Sequence, residues 1–414
     1  MESDYLFADA PNAPDATNVL TMKPRAARFH SESETIVTVL QSPVPAFAEA
    51  ELIRLYNNLY SSIAQFRVHG CLEGAFTFIA SQGKEPTSIF LFRIDKHKAS
   101  VLNNGILVGQ KEVRRFADAV FAKFPVVDVI SFHAVQTVVA DVRRLGFPTQ
   151  RFNHSEDIVA TLPASEQEYL DRLGKSTRKN VRYYTNKVKR DFPSWQYQLV
   201  EKGQVSEQHI RDIVQLKRAS LARKDAVSPI TEADVQLIIA LVRECGFVGV
   251  ATIDGKVCAG SIGYRTGSGI FGSIVAHDAR YDQYWIGMLC CYSTIVKGIA
   301  LGCTEYHFQS GRDEYKYRLL GERRDLDDLT VYRSWGRLLL NGDTALKAAL
   351  VGYSRKLKTW LIDAANTQAG GSWLLARPIA GYKKLRRICT EAIRRPDSAS
   401  KSDASANREP TNLA

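Results

Sequence analysis

Three short apolar runs, 248–253 (VGVATI), 257–264 (VCAGSIGY) and 270–276 (IFGSIVA), follow one another with only Asp254-Gly255 and a glycine-rich stretch at 266–269 between them. Runs of that length joined by tight-turn residues predict an antiparallel meander. From Gly287 to Leu301, Met288, Cys291, Ile295 and Ile299 then recur at spacings of three and four, Lys297 is the sole charge, and Gly302 comes next. That is the pattern of a buried helix stopped by glycine. Residues 304–309 (TEYHFQ) alternate as a strand and 311–316 (GRDEYK) opens another helix, predicted over 312–320. A strand, helix and strand in succession place 304–309 parallel to 270–276, and the end of 270–276 then forms a crevice with the start of helix 287–301, a common place for a ligand.

The first part of the chain repeats this order more faintly. Strands are predicted at 35–41, 75–80, 87–94, 99–108 and 127–132, helices at 47–59 and 110–124, and a further helical segment near 135–145. The likeness of pattern implies an internal repeat. Between the halves, 157–162 (DIVATL) reads as a strand, and Ser165 with Glu168 three positions on is the signature of a capping box. The run 172–190 holds eight basic residues and no acidic one, with Val181, Tyr184 and Val188 on one helical face and Arg178 and Arg182, four apart, on another. Beyond it come a strand at 195–200, helices at 206–222 and 231–244, a strand at 329–334, and helical candidates at 344–365 (amphipathic) and 380–395 (basic). The expected organisation is a disordered leader (1–33), a first domain (34–162), a second (163–340), a basic helical extension (341–395) and a disordered tail (396–414).

A formal net charge of +11 points to anionic partners: nucleotide phosphates, lipid head groups or nucleic acid. Seven cysteines lack CxxC spacing, and neither a signal peptide nor a stretch of eighteen apolar residues occurs, so a cytoplasmic protein, soluble or membrane-peripheral, is expected. Gly267 to Gly272 (GSGIFG) fits a dinucleotide fingerprint, but it leads into a strand rather than a helix, and a hairpin turn is the better reading. The chain has no P-loop, HExxH or GxSxG, and no metal-ligand spacing among its eight histidines, so no metal is expected. There remains the concave site where His277 and Asp278 leave strand 270–276, facing Tyr315 and Lys316. A proton acceptor beside a donor suits transfer to an amine or hydroxyl. His277 reads equally as a turn residue, Tyr315 as a half-buried aromatic, and Lys316 as a surface charge or a phosphate contact.

EYLDRLGKSTRKNVR at 168–182, the ordered elements of 247–309, and the G-x-x-x-Y-K element at Gly311, Tyr315 and Lys316 together resemble the GNAT superfamily of acyltransferases. Within it they resemble the CelD-like branch of cellulose and exopolysaccharide biosynthesis, which is related to the Fem-type aminoacyltransferases. The resemblance implies an α/β chain of two tandem GNAT-like domains, each a mixed, largely antiparallel sheet flanked by helices. It implies acetyl-CoA or another acyl-CoA as co-substrate, held around Gly287 with help from Arg178, Arg182 and Lys316. The acceptor it implies is an amine or hydroxyl of a small molecule or saccharide precursor. From their positions, Tyr315 is expected to donate a proton to the departing thiolate, and His277, or Asp278 through a water, to accept one from the nucleophile. The stretch DARYDQYWIGML departs from the superfamily's Arg/Gln-x-x-Gly-x-Gly/Ala loop: Gly287 is kept, but Trp285 and Ile286 stand where small residues or proline are usual. A Fem-type reading replaces the thioester with aminoacyl-tRNA, which suits the basic run. A third reading is an inactive GNAT-like module that holds a polysaccharide-synthesis assembly together at the inner membrane.

Overall fold

A computed structural model of the chain describes residues 35–139 and 141–342. The expected leader, the helices 344–365 and 380–395 and the tail lie outside these residues. The first half contains β1 (Thr35–Leu40), α1 (Ala48–Tyr56), α2 (Ile63–Val68), β2 (Phe76–Gln82), β3 (Glu85–Asp95), β4 (Lys98–Val101), β5 (Leu107–Val108), α3 (Gln110–Lys123) and β6 (Val129–Thr137). Next come β7 (Thr149–Thr161), α4 (Glu166–Arg172), α5 (Lys175–Asp191), β8 (Gln196–Glu201), α6 (Glu207–Ala222), α7 (Glu232–Cys245), β9 (Gly246–Ile253), β10 (Lys256–Thr266) and β11 (Gly269–His277). The last elements are α8 (Ile286–Ala300), β12 (Glu305–His307), α9 (Glu314–Arg318), β13 (Glu322–Tyr332) and α10 (Trp335–Leu340).

Thirteen strands form one sheet in the order β1-β2-β3-β4-β6-β13-β7-β12-β11-β10-β9-β8, with β5 beside β6. Most neighbours are antiparallel; β4 with β6, β5 with β6, and β11 with β12 are parallel. This is a mixed α/β chain with a large, mostly antiparallel sheet flanked by helices, as expected. The order reads inward from both edges as the same series, four strands and then one reached through a helix, so the repeat is real. At the centre, strands are exchanged. β7 lies against β12 of the second half, while β13, the last strand in sequence, pairs with β6 of the first.

The meander forms as its turns dictate. Asp254 (φ 50°) and Gly255 (φ +72°) occupy the left-handed region at the β9–β10 turn, and Gly267 (φ +55°) does so between β10 and β11, so GSGIFG is a hairpin. α8 is buried all round because it crosses between β11 and β12 and is covered by α5. Five expectations need correction. Residues 135–145 are not a helix: β6 runs to Thr137 and a 3-10 turn comes after it at Val142–Leu145. The strand expected at 99–108 is broken into β4 and β5, with Gly105 (φ +70°) between them. The strand at 329–334 is the end of β13, which starts at Glu322, and helix 312–320 is only Glu314–Arg318. Finally, β7 extends back to Thr149 from the predicted 157–162, because its polar first half is paired on β13 rather than exposed.

Candidate active site

β11 is nine residues long and β12 only three, and their parallel pairing ends at Phe271↔His307. From Gly272 to His277, β11 keeps β10 on one side and, among the described residues, has no strand on the other. A wedge opens there, roofed by the first turns of α8. Its wall carries Tyr306, whose hydroxyl would meet a Cβ on Gly272 at 2.5 Å, together with Cys291, Phe308 and Tyr315. Burial pushes the Cys291 thiol up to about 12, so it stays protonated and unreactive. The six described cysteines are all free thiols.

At the mouth of the wedge the backbone makes an irregular entry into α8. Asp278 caps a 3-10 turn over Ala279–Tyr284 by accepting from the Arg280 N–H at 2.9 Å, and Trp285 then sits in the left-handed region (φ 56°, ψ 27°) as N-cap of the 15-residue α8. Trp285 offers no side-chain cap, the first turn holds no acidic residue, and Leu289 is the first to bond back, to the Trp285 carbonyl at 3.0 Å. The amides of Ile286, Gly287 and Met288 therefore have no partner among the described residues. Free amides and the positive end of a long helix dipole suit an anion.

The expected site residues fall around this mouth in different states. His277 donates Nε2–H to the Asp282 carboxylate at 2.8 Å, and its ring lies over Gly287, where a Cβ would meet Nδ1 at 2.5 Å. Gly287 is thus needed for the close approach of the ring. Asp278 is engaged: one oxygen takes the backbone N–H of Arg280, and the other its guanidinium at 2.6 and 2.9 Å, a pairing that holds the carboxyl below its usual range. Tyr315 is half-buried, 6.2 Å from the Phe308 ring, and its hydroxyl bonds to nothing among the described residues. Burial, then the neighbouring Cys291 and Asp313, raises its pKa, so the hydroxyl keeps its proton. Lys316 is neither a surface charge nor placed for a phosphate. It is 4% exposed and its ammonium donates to the carbonyls of Gln309, at 3.3 Å, and Ser310, pinning the loop before α9. Burial lowers its pKa against the pull of Asp313 and Asp157.

Arg178 and Arg182 do not act as a pair. Arg178 Nη1 is tied to Asp171 of α4 at 3.2 Å, whereas Arg182 is exposed beside Tyr292, two turns into α8. α5 runs antiparallel to α8, so its later residues reach the amide end: Tyr184 packs on Trp285 at 5.6 Å, and Lys187 lies 4.7 Å over the Tyr284 ring with its ammonium 3.4 Å from the Gln283 carbonyl. Lys187 is a site cation that sequence reading missed, and the three-residue step from Tyr184 was its signal. His277 touches α8 at residue 287 and Tyr315 neighbours it at residue 291, about one helical turn of 5.4 Å along. Behind the wedge lies a second, buried polar group. His307 of β12, stacked on Phe271 at 4.1 Å, bonds Asp157 of β7 at 2.7 Å and approaches Glu305 at 3.5 Å. Strand exchange alone brings Asp157 and His307 together.

Residues 175–317 match the family model described as acetyltransferase (GNAT) domain. The matched stretch, about a third of the chain, is similar to a GNAT domain. It spans α5 to α9, and so contains the wedge, the irregular entry into α8 and all seven candidate residues. Among solved structures, FemX is similar at a TM-score of 0.55 and 9% identity, covering 72% of this chain and 99% of that one. At that identity the likeness is one of fold alone. Looser likenesses are L-PGS from Bacillus licheniformis (TM-score 0.44, 15% identity, 76% of this chain and 98% of that) and a tandem GNAT protein from the clavulanic acid biosynthesis pathway (TM-score 0.36, 9% identity, 72% and 98%). No curated protein matches the chain. Among the described residues no helix is long and apolar enough to cross a membrane.

Proposed function

We propose that the chain transfers an acyl group from acetyl-CoA or another acyl-CoA to an amine or hydroxyl of a small-molecule or polysaccharide-precursor acceptor. In this reading 163–340 is the transferase unit and 34–162 its brace, and the protein works in the cytoplasm, in the CelD-like branch of exopolysaccharide synthesis, beside the inner membrane or a polysaccharide synthase. The observation that carries it is the set of unpartnered amides at residues 286–288, which open α8 at the mouth of the wedge. The donor's pyrophosphate lies on those amides, with Lys187 on one flank and Arg182 further along the groove. Its thioester runs along the open edge of β11. The nucleophile forms its bond to the acyl carbon and gives its proton to His277, held by Asp282; the carbon–sulfur bond breaks and the thiolate takes a proton from Tyr315. Asp278, saturated by Arg280, serves as a cap that sets the entry to α8, and Lys316 positions the loop that carries Tyr315.

A second reading, aminoacyl-tRNA in place of the thioester, is favoured by α5, on which Lys175, Lys179, Arg182, Lys189 and Arg190 are all exposed. Calorimetric titration with several acyl-CoAs, run beside filter binding of charged tRNA at two salt concentrations, separates the two. Saturable acyl-CoA binding with weak tRNA retention is expected. Tight tRNA binding that falls steeply with salt, with no response to any acyl-CoA, supports the second reading instead. If neither donor supports transfer while the protein still binds a synthase partner, the module is an inactive scaffold.

A further inference from the structure

At the seam between the halves, three strands carry irregularities at the same level. Pairing of β13 with β6 passes from Leu329↔Phe132 to Asp327↔Val135, so Asp328 faces both His133 and Ala134. Pairing of β13 with β7 passes from Leu326↔Ser155 to Asp327↔Asn153, which leaves His154 as an inserted residue. Bulges re-aim side chains, and these two turn His133, His154 and Asp328 toward one another from strands far apart in sequence. His133 Nδ1 lies 2.8 Å from Asp328 Oδ1, His154 Nδ1 lies 3.1 Å from Oδ2, and the two rings are 4.1 Å apart. One donor atom from each residue falls within 4.8 Å of the others.

We propose that His133, His154 and Asp328 form a binding site for a divalent transition metal of the zinc class, clamping β6, β13 and β7 together. The donor set is the reason for the class: two imidazoles and a carboxylate suit zinc and its neighbours, whereas calcium and magnesium take oxygen shells. The spacing fits. Bonds of about 2.0–2.1 Å in a tetrahedral arrangement set neighbouring donors about 3.3 Å apart, close to the two imidazole-to-carboxylate separations of 2.8 and 3.1 Å. Competing charges are occupied elsewhere, since Arg151 approaches Asp327 at 3.9 Å and Thr137 donates to that same carboxylate. The Ala134 N–H donates to Asp328 at 3.1 Å and fixes the carboxylate from behind, as supporting groups do at metal sites. The His133 side chain is 50% exposed, so an ion has a way in and its fourth position faces solvent. A metal here was not legible in spacing because the ligands lie on three strands that only the exchange makes neighbours.

The test uses the full chain without an affinity tag, stripped by a chelator, then titrated with Zn²⁺ by calorimetry and with Co²⁺ by visible absorption. One ion per chain is expected, with thermal unfolding shifted upward by Zn²⁺. His133→Ala, at the half-exposed position, and Asp328→Asn, which keeps the acceptor for Ala134, should each weaken binding about tenfold or more. Unfolding of the stripped variants shows that they are folded. The site is overturned if the wild type binds no Zn²⁺ at millimolar concentration, or if both folded variants bind as tightly as the wild type.

Discussion

The two halves lay down the same elements around the same kind of gap and finish it differently. After β4 the gap is closed: β5 fills it, with Gly105 N–H bonding the Ala134 carbonyl and Gln136 N–H that of Ile106, both at 2.8 Å. After β11 it stays open to His277. The crossing helices differ in the same sense. α3 has Glu112 in its first turn, folded back so closely that a Cβ on Gly109 would meet its carboxylate at 2.4 Å, while α8 has no acid there. A helix end that faces its own carboxylate has little left to offer a foreign anion. Under α3 the sheet is filled by phenyl rings, with Phe116 at 5.1–5.5 Å from Phe78, Phe90, Phe92 and Phe132. α8 itself packs with smaller side chains, Cys291, Thr294 and Gly298 among its buried residues. On the proposed function, what fills one gap divides the repeated fold into a brace and a site.

The contrast predicts where each kind of damage shows. Phe116→Ala removes the ring on which four others pack and should lower stability by about 3–5 kcal/mol in urea unfolding. A loss below about 1 kcal/mol would mean that the first half is not the packed brace described. Next in size, Tyr315→Phe should lower turnover about a hundredfold with a verified acceptor, near 2.7 kcal/mol, and leave donor affinity almost unchanged. His277→Ala should flatten the rising limb of the pH profile, whereas Glu112→Gln at the matching place in the first half should change neither. Full activity in both Tyr315→Phe and His277→Ala removes their assigned roles.

The smallest effect is a pH slope from the buried group behind the wedge. Burial pulls the His307 pKa down, but bonds to Asp157 and Glu305 outweigh it and leave it raised. The folded chain then holds this proton more tightly than the unfolded one. Its contribution is complete below about pH 6.5, the unperturbed value, and is lost as pH rises through the raised one. Glu305, held at about 2 chiefly by His307, contributes above the ordinary carboxylate range and loses that share as pH falls toward 2. Urea midpoints from pH 6 to 9 should fall for the wild type and fall less for His307→Gln; parallel curves count against the coupling.

How much could be read from the sequence depends on where apolar periodicity survives. β9 to β11 and α8 are buried on both faces, so their composition announced them, and the end of β11 was correctly placed against the start of α8. The seam was illegible for the opposite reason. β13 opens with ERRDLDD and β7 with TQRFNHSED, because each pairs its polar residues with the other and with Glu305, as in Arg324 to Glu305 at 2.6 Å. A central strand stitched by ions looks like a loop until its neighbours are known. The same blindness hid Asp157 beside His307 and the fate of Lys316, since long-range pairing, not local spacing, decides which carbonyls an ammonium meets.

The exchange of β7 and β13 also bears on the order in which the protein is made. Strands β6 and β7 leave the ribosome long before residues 322–332, yet the slot between them belongs to that strand. Until it arrives, two edges face each other across a missing row of hydrogen bonds, and neither half has a finished sheet. Closure between such distant segments is slow and leaves strand edges exposed meanwhile. The polar first half of β7, with Arg151, Glu156 and Asp157, is then a form of protection: during that wait, the edge it leaves bare is a charged one, poorly suited to sticking to anything but the strand it is waiting for.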